Sequence, residues 1–159
     1  MQGMKIEQSA ADGGVLFRFT LSANGIEKES EVLFQSPSNW LCKGSESDWR
    51  SCNLTSLIFI LEFDFDSIRE AFLLAEQNYK LESLANSFPF SKIAAHSVAN
   101  MGWYWTERAI GWMESKNFVP DAALLIELEK AVADSRFGQS PSHRLQKLIR
   151  ALRTKSQNQ

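Results

Sequence analysis

An α+β fold is predicted: a small N-terminal antiparallel β-meander over about 1–35, then a bundle of about five or six helices over 54–155. Three observations predict it. Val15, Phe17, Phe19 and Leu21 alternate with Leu16, Arg18, Thr20 and Ser22, the period-two signature of a half-buried strand. Ala11-Asp12-Gly13-Gly14 and Asn24-Gly25 flank that strand with hairpin turns. Beyond residue 54 the apolar spacing switches to i, i+3, i+4, i+7, the period of a helix face. A chain of 159 residues with 44% hydrophobic content fits a single domain and can bury a core.

In chain order, Lys5–Ser9 reads as a short first strand and 15–22 as the second. The third puts Glu27, Glu29 and Glu31 on one face and Val32 and Phe34 on the other. Ser36-Pro37-Ser38-Asn39 is expected to end the sheet, leaving 36–53 as a polar loop with Trp40 and Trp49 beside Glu46 and Asp48. Loops carrying tryptophan and acid are common binding elements, although either ring could instead tuck into the core.

Residues 54–65 read as helix or buried strand. The N-capping Asn53 and the stripe Leu54, Leu57, Ile58 and Leu61 favour a helix over 54–62. Asp64 or Asp66 then caps a helix to about Leu84, with Ile68, Phe72, Ala75 and Tyr79 inward. Further helices are expected at 91–99, 103–116 and 121–135, the last with Leu124, Leu125, Leu128 and Val132 inward. Ser140-Pro141 opens the final helix, striped by Leu145, Leu148, Ile149 and Leu152, with a disordered tail at 156–159. Of these, 103–116 organises the bundle: Trp105, Ala109 and Trp112 form a stripe flanked by Trp103, Ile110 and Met113, with Thr106, Glu107 and Glu114 on the far side.

The net charge of −2 hides an asymmetry. Arg144, Lys147, Arg150, Arg153 and Lys155 follow Pro141 with no acidic residue among them, and the first 140 residues carry 12 basic against 19 acidic side chains. An acidic body favours a basic partner, and a helix of five cations without an interleaved aromatic is a weak nucleic-acid footprint. With no run of 18 apolar residues and no basic segment leading into an apolar one, neither a membrane span nor a signal peptide is expected. Cys42 and Cys52 fit neither a zinc spacing nor a disulfide framework and are expected as reduced cytoplasmic thiols.

Candidate chemistry is thin. Glu62, Asp64 and Asp66 recur every second residue and, on a strand, could hold a hard cation for a metal-dependent hydrolase. As a helix start they are a cap, a solvated neighbour and a helix-end glutamate. His96 has no nucleophile or metal-ligand spacing around it, and neither a G-x-G-x-x-G nor a P-loop occurs. No catalytic residue, metal site or cofactor is therefore assigned.

The helix Trp103-Tyr104-Trp105-Thr106-Glu107-Arg108-Ala109-Ile110-Gly111-Trp112-Met113-Glu114 resembles one found among bacterial immunity proteins of contact-dependent growth inhibition and related polymorphic toxin systems. The resemblance covers about 101–116 and carries over no contact residues. It implies a non-catalytic cytoplasmic protein that neutralises a cognate toxin by stoichiometric binding, many such toxins being basic nucleases. The residues expected to meet that partner are Glu27, Glu29 and Glu31, Trp40, Glu46, Asp48 and Trp49, and Asp64 and Asp66. Carboxylates would steer encounter and a tryptophan would anchor the complex.

Overall fold

Two tight turns set the first half of the fold. Asp12 and Gly13 (φ 44° and 76°) and Asn24 and Gly25 (φ 53° and 78°) each place two successive residues at positive φ, the two-residue hairpin geometry whose twist matches the flanking strands. They join β1 (Gly3–Ala11) to β2 (Gly14–Ala23) and β2 to β3 (Ile26–Gln35). The computed structural model describes residues 3–44 and 48–157. Two further strands, β4 (Asn39–Lys43) and β5 (Trp49–Ser51), complete an antiparallel sheet in the order β1-β2-β3-β4-β5. The fold is α+β: after a 3-10 turn at Ile58–Glu62 come α1 (Phe65–Tyr79), the single-turn α2 (Leu84–Ser87), α3 (Phe90–Asn100), α4 (Trp103–Glu114), α5 (Ala122–Ala133) and α6 (Gln139–Gln157).

The chain divides into two compact units between Phe88 and Pro89. The division falls inside the helical stretch that the sequence treats as one layer, because α1 and α2 belong with the sheet.

In the first unit, Val15, Phe17 and Phe19 of β2, Val32 and Phe34 of β3 and Trp40 of β4 form the buried face. Phe17 meets Phe72 of α1 at 4.7 Å between ring centres, and Phe19 meets Phe63 at 5.2 Å. Gly14 is required here, since a Cβ would stand 2.0 Å from the Phe34 carbonyl oxygen.

Several expectations are corrected in this unit. Residues 36–53 are not one polar loop, because a turn at Ser36-Pro37 sends the chain back as β4 and then β5. Strands of five and three residues are too short to show periodicity. Cys42 and Cys52 are not free thiols but a disulfide, with Cα atoms 5.0 Å apart. The Cys52 N–H donates to the Trp40 carbonyl, which brings the two cysteines side by side.

The expected helix over 54–62 is a turn followed by 3-10 geometry. Asn53 does accept at its side chain from the Ser56 N–H (2.7 Å). However, Leu57, Ile58, Ile60, Leu61, Phe63 and Phe65 are all buried, a nearly continuous set that no single helical stripe can bury. Asp64 then caps α1, accepting from Ser67 N–H at 2.9 Å. The helix stops at Tyr79, short of Leu84, where Lys80 takes the left-handed conformation (φ 51°).

In the second unit, the buried face of α4 is Thr106, Ala109, Ile110, Trp112 and Met113. Thr106 was expected outside; it is enclosed, with its hydroxyl donating to the Ser97 carbonyl at 3.3 Å, while Trp103 and Trp105 are only half-buried. That hydrogen bond lets a small polar side chain enter the core. Trp112 is 2% exposed and packs edge-on against Phe90 at 5.6 Å.

Asp121 caps α5 through the Leu124 N–H, and the inward set is Leu124, Leu128 and Ala131, with Leu125 and Val132 half-buried on its flanks. α6 buries Leu145, Leu148, Ile149 and Leu152, the stripe read from the sequence. It begins at Gln139, one residue before the expected Ser140 cap, and runs to Gln157 in place of the tail expected from 156; residues 158–159 lie outside the described residues.

Candidate functional site

Strand pairing assembles a row of charge across the sheet face opposite the core. Residues facing one another across antiparallel strands share a face. Glu7 of β1 lies opposite Arg18 of β2, and Arg18 opposite Glu31 of β3. Val32 pairs with Cys42, which sets Lys43 beside Glu31, and Lys43 in turn pairs with Trp49 of β5. The row thus reads Glu7, Arg18, Glu31, Lys43, Trp49.

Glu31 is its centre, with a side chain only 13% exposed. Arg18 donates from Nη2 and Nε to Oε1 at 2.9 and 3.3 Å, and Lys43 Nζ donates to Oε2 at 2.5 Å. Arg18 also stands 3.9 Å from Glu7 and 4.0 Å from Glu29. The Lys43 ammonium lies 5.9 Å from the centre of the half-buried Trp49 ring. The Lys43 hydrogen bond, aided by Arg18, holds the Glu31 carboxyl below its ordinary range against the opposing pull of burial. Hydrogen bonding to Glu31 correspondingly raises Arg18. Glu7 is lowered first by its hydrogen bond with Lys5.

Leu33, two residues along the same face, is fully buried, so the accessible stretch is the end that carries this row and Glu27 and Glu29. Arg18, Glu29, Glu31 and Lys43 of this face border a hollow at the end of β4 that Cys42, Ser56 and Phe59 line from the core side. Chemically, a carboxylate gripped by two cations is a poor general base. What the row provides is fixed, ionised charge of both signs next to an accessible indole.

The expected site residues separate into those this face gathers and those it does not. Glu27, Glu29, Glu31 and Trp49 belong to it. Glu31, expected as part of an open acidic row, is neutralised within the sheet, which leaves Glu27 and Glu29 as the exposed acids of the strand. Asp48 sits at the β4–β5 hairpin with its carboxylate bound by Arg50 at 2.6 Å, which lowers its pKa. Glu46 lies outside the described residues.

Trp40 is corrected outright. It is 7% exposed, its ring centre is 4.8 Å from both Phe34 and Phe88, and its indole N–H donates to Ser87 Oγ. An indole so enclosed is core and cannot meet a partner. Asp64 and Asp66 stand apart from the charged row, at the start of α1, one as cap and one in the first turn. Arg18 and Lys43 are what sequence reading overlooked. The two-residue Asp12-Gly13 and Asn24-Gly25 turns fix the register of three strands, and counting back from them puts Arg18 opposite both Glu7 and Glu31.

The residues behind the two alternative readings lie outside this face. Among the described residues, no group of three His, Cys, Asp or Glu side chains could hold a metal ion, so Glu62, Asp64 and Asp66 do not converge. On the basic helix α6, Arg144 reaches Glu107 and Glu114 (3.4 Å each), Arg153 pairs with Glu129, and Lys155 donates to the Ser115 carbonyl. Three of its five cations are therefore engaged within the unit. No described helix is long and apolar enough to cross a membrane. No protein-family model, curated protein or solved structure matches this chain.

Proposed function

We propose that this chain is a non-catalytic binding protein that neutralises a cognate bacterial toxin by stoichiometric complex formation, with the outer face of its sheet as the contact surface. The observation that carries the reading is the row Glu7–Arg18–Glu31–Lys43 ending at Trp49. Charges locked in place by their neighbours cost little further ordering when a partner docks, and they reject a partner whose charges do not match. Trp49 at the end of the row supplies the kind of large, partly enclosed aromatic that anchors interfaces. Glu27 and Glu29 leave the exposed end of β3 acidic, which suits a basic, nuclease-type toxin domain.

Neutralisation would take place in the cytoplasm, where the Cys42–Cys52 bond is subject to reduction. The hydrogen-bonded ladder also joins β4 to β5, so the contact face should survive opening of the disulfide.

The test is growth rescue. A toxin domain encoded beside this chain, which the reading requires, is expressed with and without it in a sensitive host. Rescue by the parent chain, and loss of rescue with Glu27→Lys/Glu29→Lys at unchanged protein level, is the expected outcome. Rescue that is indifferent to both substitutions places the contact elsewhere, and absence of rescue by the parent chain removes the toxin reading.

A further inference from the structure

β1 is an open sheet edge: all nine of its residues pair with β2 in unbroken register, and no described strand lies on its other side. It carries no proline and no bulge, two of the devices that blunt such an edge, and its charges are the complementary pair Lys5 and Glu7. We propose that this edge is closed by β1 of a second copy of the chain, antiparallel about a two-fold axis at Ile6.

The turn fixes which groups point outward. In a two-residue hairpin the residues flanking the loop, here Ala11 and Gly14, form a hydrogen-bonded pair, and such pairs then recur at every second position. Odd-numbered residues of β1 therefore bond to β2, and Met4, Ile6 and Gln8 aim their N–H and C=O groups off the edge. The same alternation counted through the sheet agrees with the far end, where Gly44 N–H donates to the Asp48 carbonyl and Cys52 N–H to that of Trp40. An axis at Ile6 pairs Ile6 with itself and Met4 with Gln8 in both directions, giving about six backbone hydrogen bonds across the junction.

Charge selects this register. With the axis at Ile6, Lys5 of each copy stands directly opposite Glu7 of the other, on the solvent face of the sheet. An axis at Lys5 or at Glu7 sets like charges opposite one another, and one at Gln8 matches neither. Lys5 and Glu7 already pair within the strand, so the dimer completes an alternating quartet of charges.

The opposite side of the edge is apolar. Met4 and Ile6 of β1 with Phe63, Ala71 and Leu74 supply the apolar lining of a groove between the strand and α1, whose polar members are Asp64, Ser67 and Glu70. Met4 is 49% and Leu74 47% exposed, apolar surface that the inward-facing residues of a second β1 would cover.

Sedimentation velocity of the full chain at tens of micromolar tests this, with circular dichroism confirming that each variant is folded. The parent is expected at twice the 18.0 kDa chain mass at the upper concentrations. Either Lys5→Glu or Glu7→Lys turns two attractive cross-strand pairs repulsive and should raise the dimer dissociation constant about tenfold. The double swap Lys5→Glu/Glu7→Lys should restore it. An equal mixture of the two single variants should form a heterodimer tighter than either alone. A parent that stays monomeric overturns the proposal and leaves the edge to a strand of another protein. A dimer that ignores the charge swaps overturns it as well, since its contact then lies elsewhere.

Discussion

Replacing Trp40 by alanine separates a core role from a recognition role. The indole is 7% exposed and packs against Phe34, Phe72 and Phe88, with ring centres 4.8, 5.2 and 4.8 Å away. Truncating a tryptophan at so enclosed a position costs about 3–5 kcal/mol, because the surroundings relax only partly into the void. Its N–H bond to Ser87 adds little, since that hydroxyl keeps its own bond to the Leu84 carbonyl. Trp40→Phe retains most of the packing and should lose roughly 1–2 kcal/mol. Domain stabilities are typically about 5–15 kcal/mol, so the alanine variant would be marginal in the sheet unit. Urea unfolding followed by far-UV circular dichroism reads the effect as a shift in midpoint. Trp49→Ala, at the half-buried end of the charged row, is the internal contrast and should lose less than about 1 kcal/mol. A Trp40→Ala variant as stable as the parent would refute the packing described for β4.

Three further outcomes follow from the same packing and pairing. Trp112→Ala should destabilise the α3–α6 unit by about 3–5 kcal/mol, and a melt within a degree or two of the parent would show that α4 buries another face. Glu31 has a lowered folded-state pKa, so its contribution is full above the ordinary carboxyl value of 4.5 and fades as pH falls through the folded value. The stability gap between the parent and Glu31→Gln should therefore be widest above about pH 5 and close under acid, with a gap independent of pH contradicting the ion-pair account. Cys42→Ser/Cys52→Ser should cost about 2–3 kcal/mol, the loop-closure entropy of the ten-residue separation, and reducing agent should lower the parent's unfolding free energy by the same amount.

The first three strands and most helices were legible because their signals are local. Asp12-Gly13 and Asn24-Gly25 dictate hairpins by backbone conformation alone, and α6 shows its full buried stripe. What escaped depends on contacts far apart in sequence. β4 and β5 exist because β3 offers an edge for them, and the disulfide because that pairing aligns Cys42 and Cys52. Thr106 is inside because the backbone carbonyl of Ser97, on another helix, accepts a hydrogen bond from its hydroxyl. The glutamates of β3 were visible, but their neutralisation was not, since Arg18 and Lys43 arrive from neighbouring strands. Trp40 and Trp49 share one composition-level context and part company only once the hairpin puts Trp40 on the core face and Trp49 on the outer one.

Binding kinetics against the cognate toxin domain, measured by surface plasmon resonance over a series of salt concentrations, test the central claim most directly. Glu27→Gln/Glu29→Gln and Asp48→Asn should slow association and flatten its salt dependence, because exposed charges act on encounter. Trp49→Ala should leave association nearly unchanged and speed dissociation about tenfold or more, since a desolvated aromatic acts after docking. Unchanged rate constants in all three variants, each shown to be folded by its thermal melt, would contradict a contact through the outer face of the sheet.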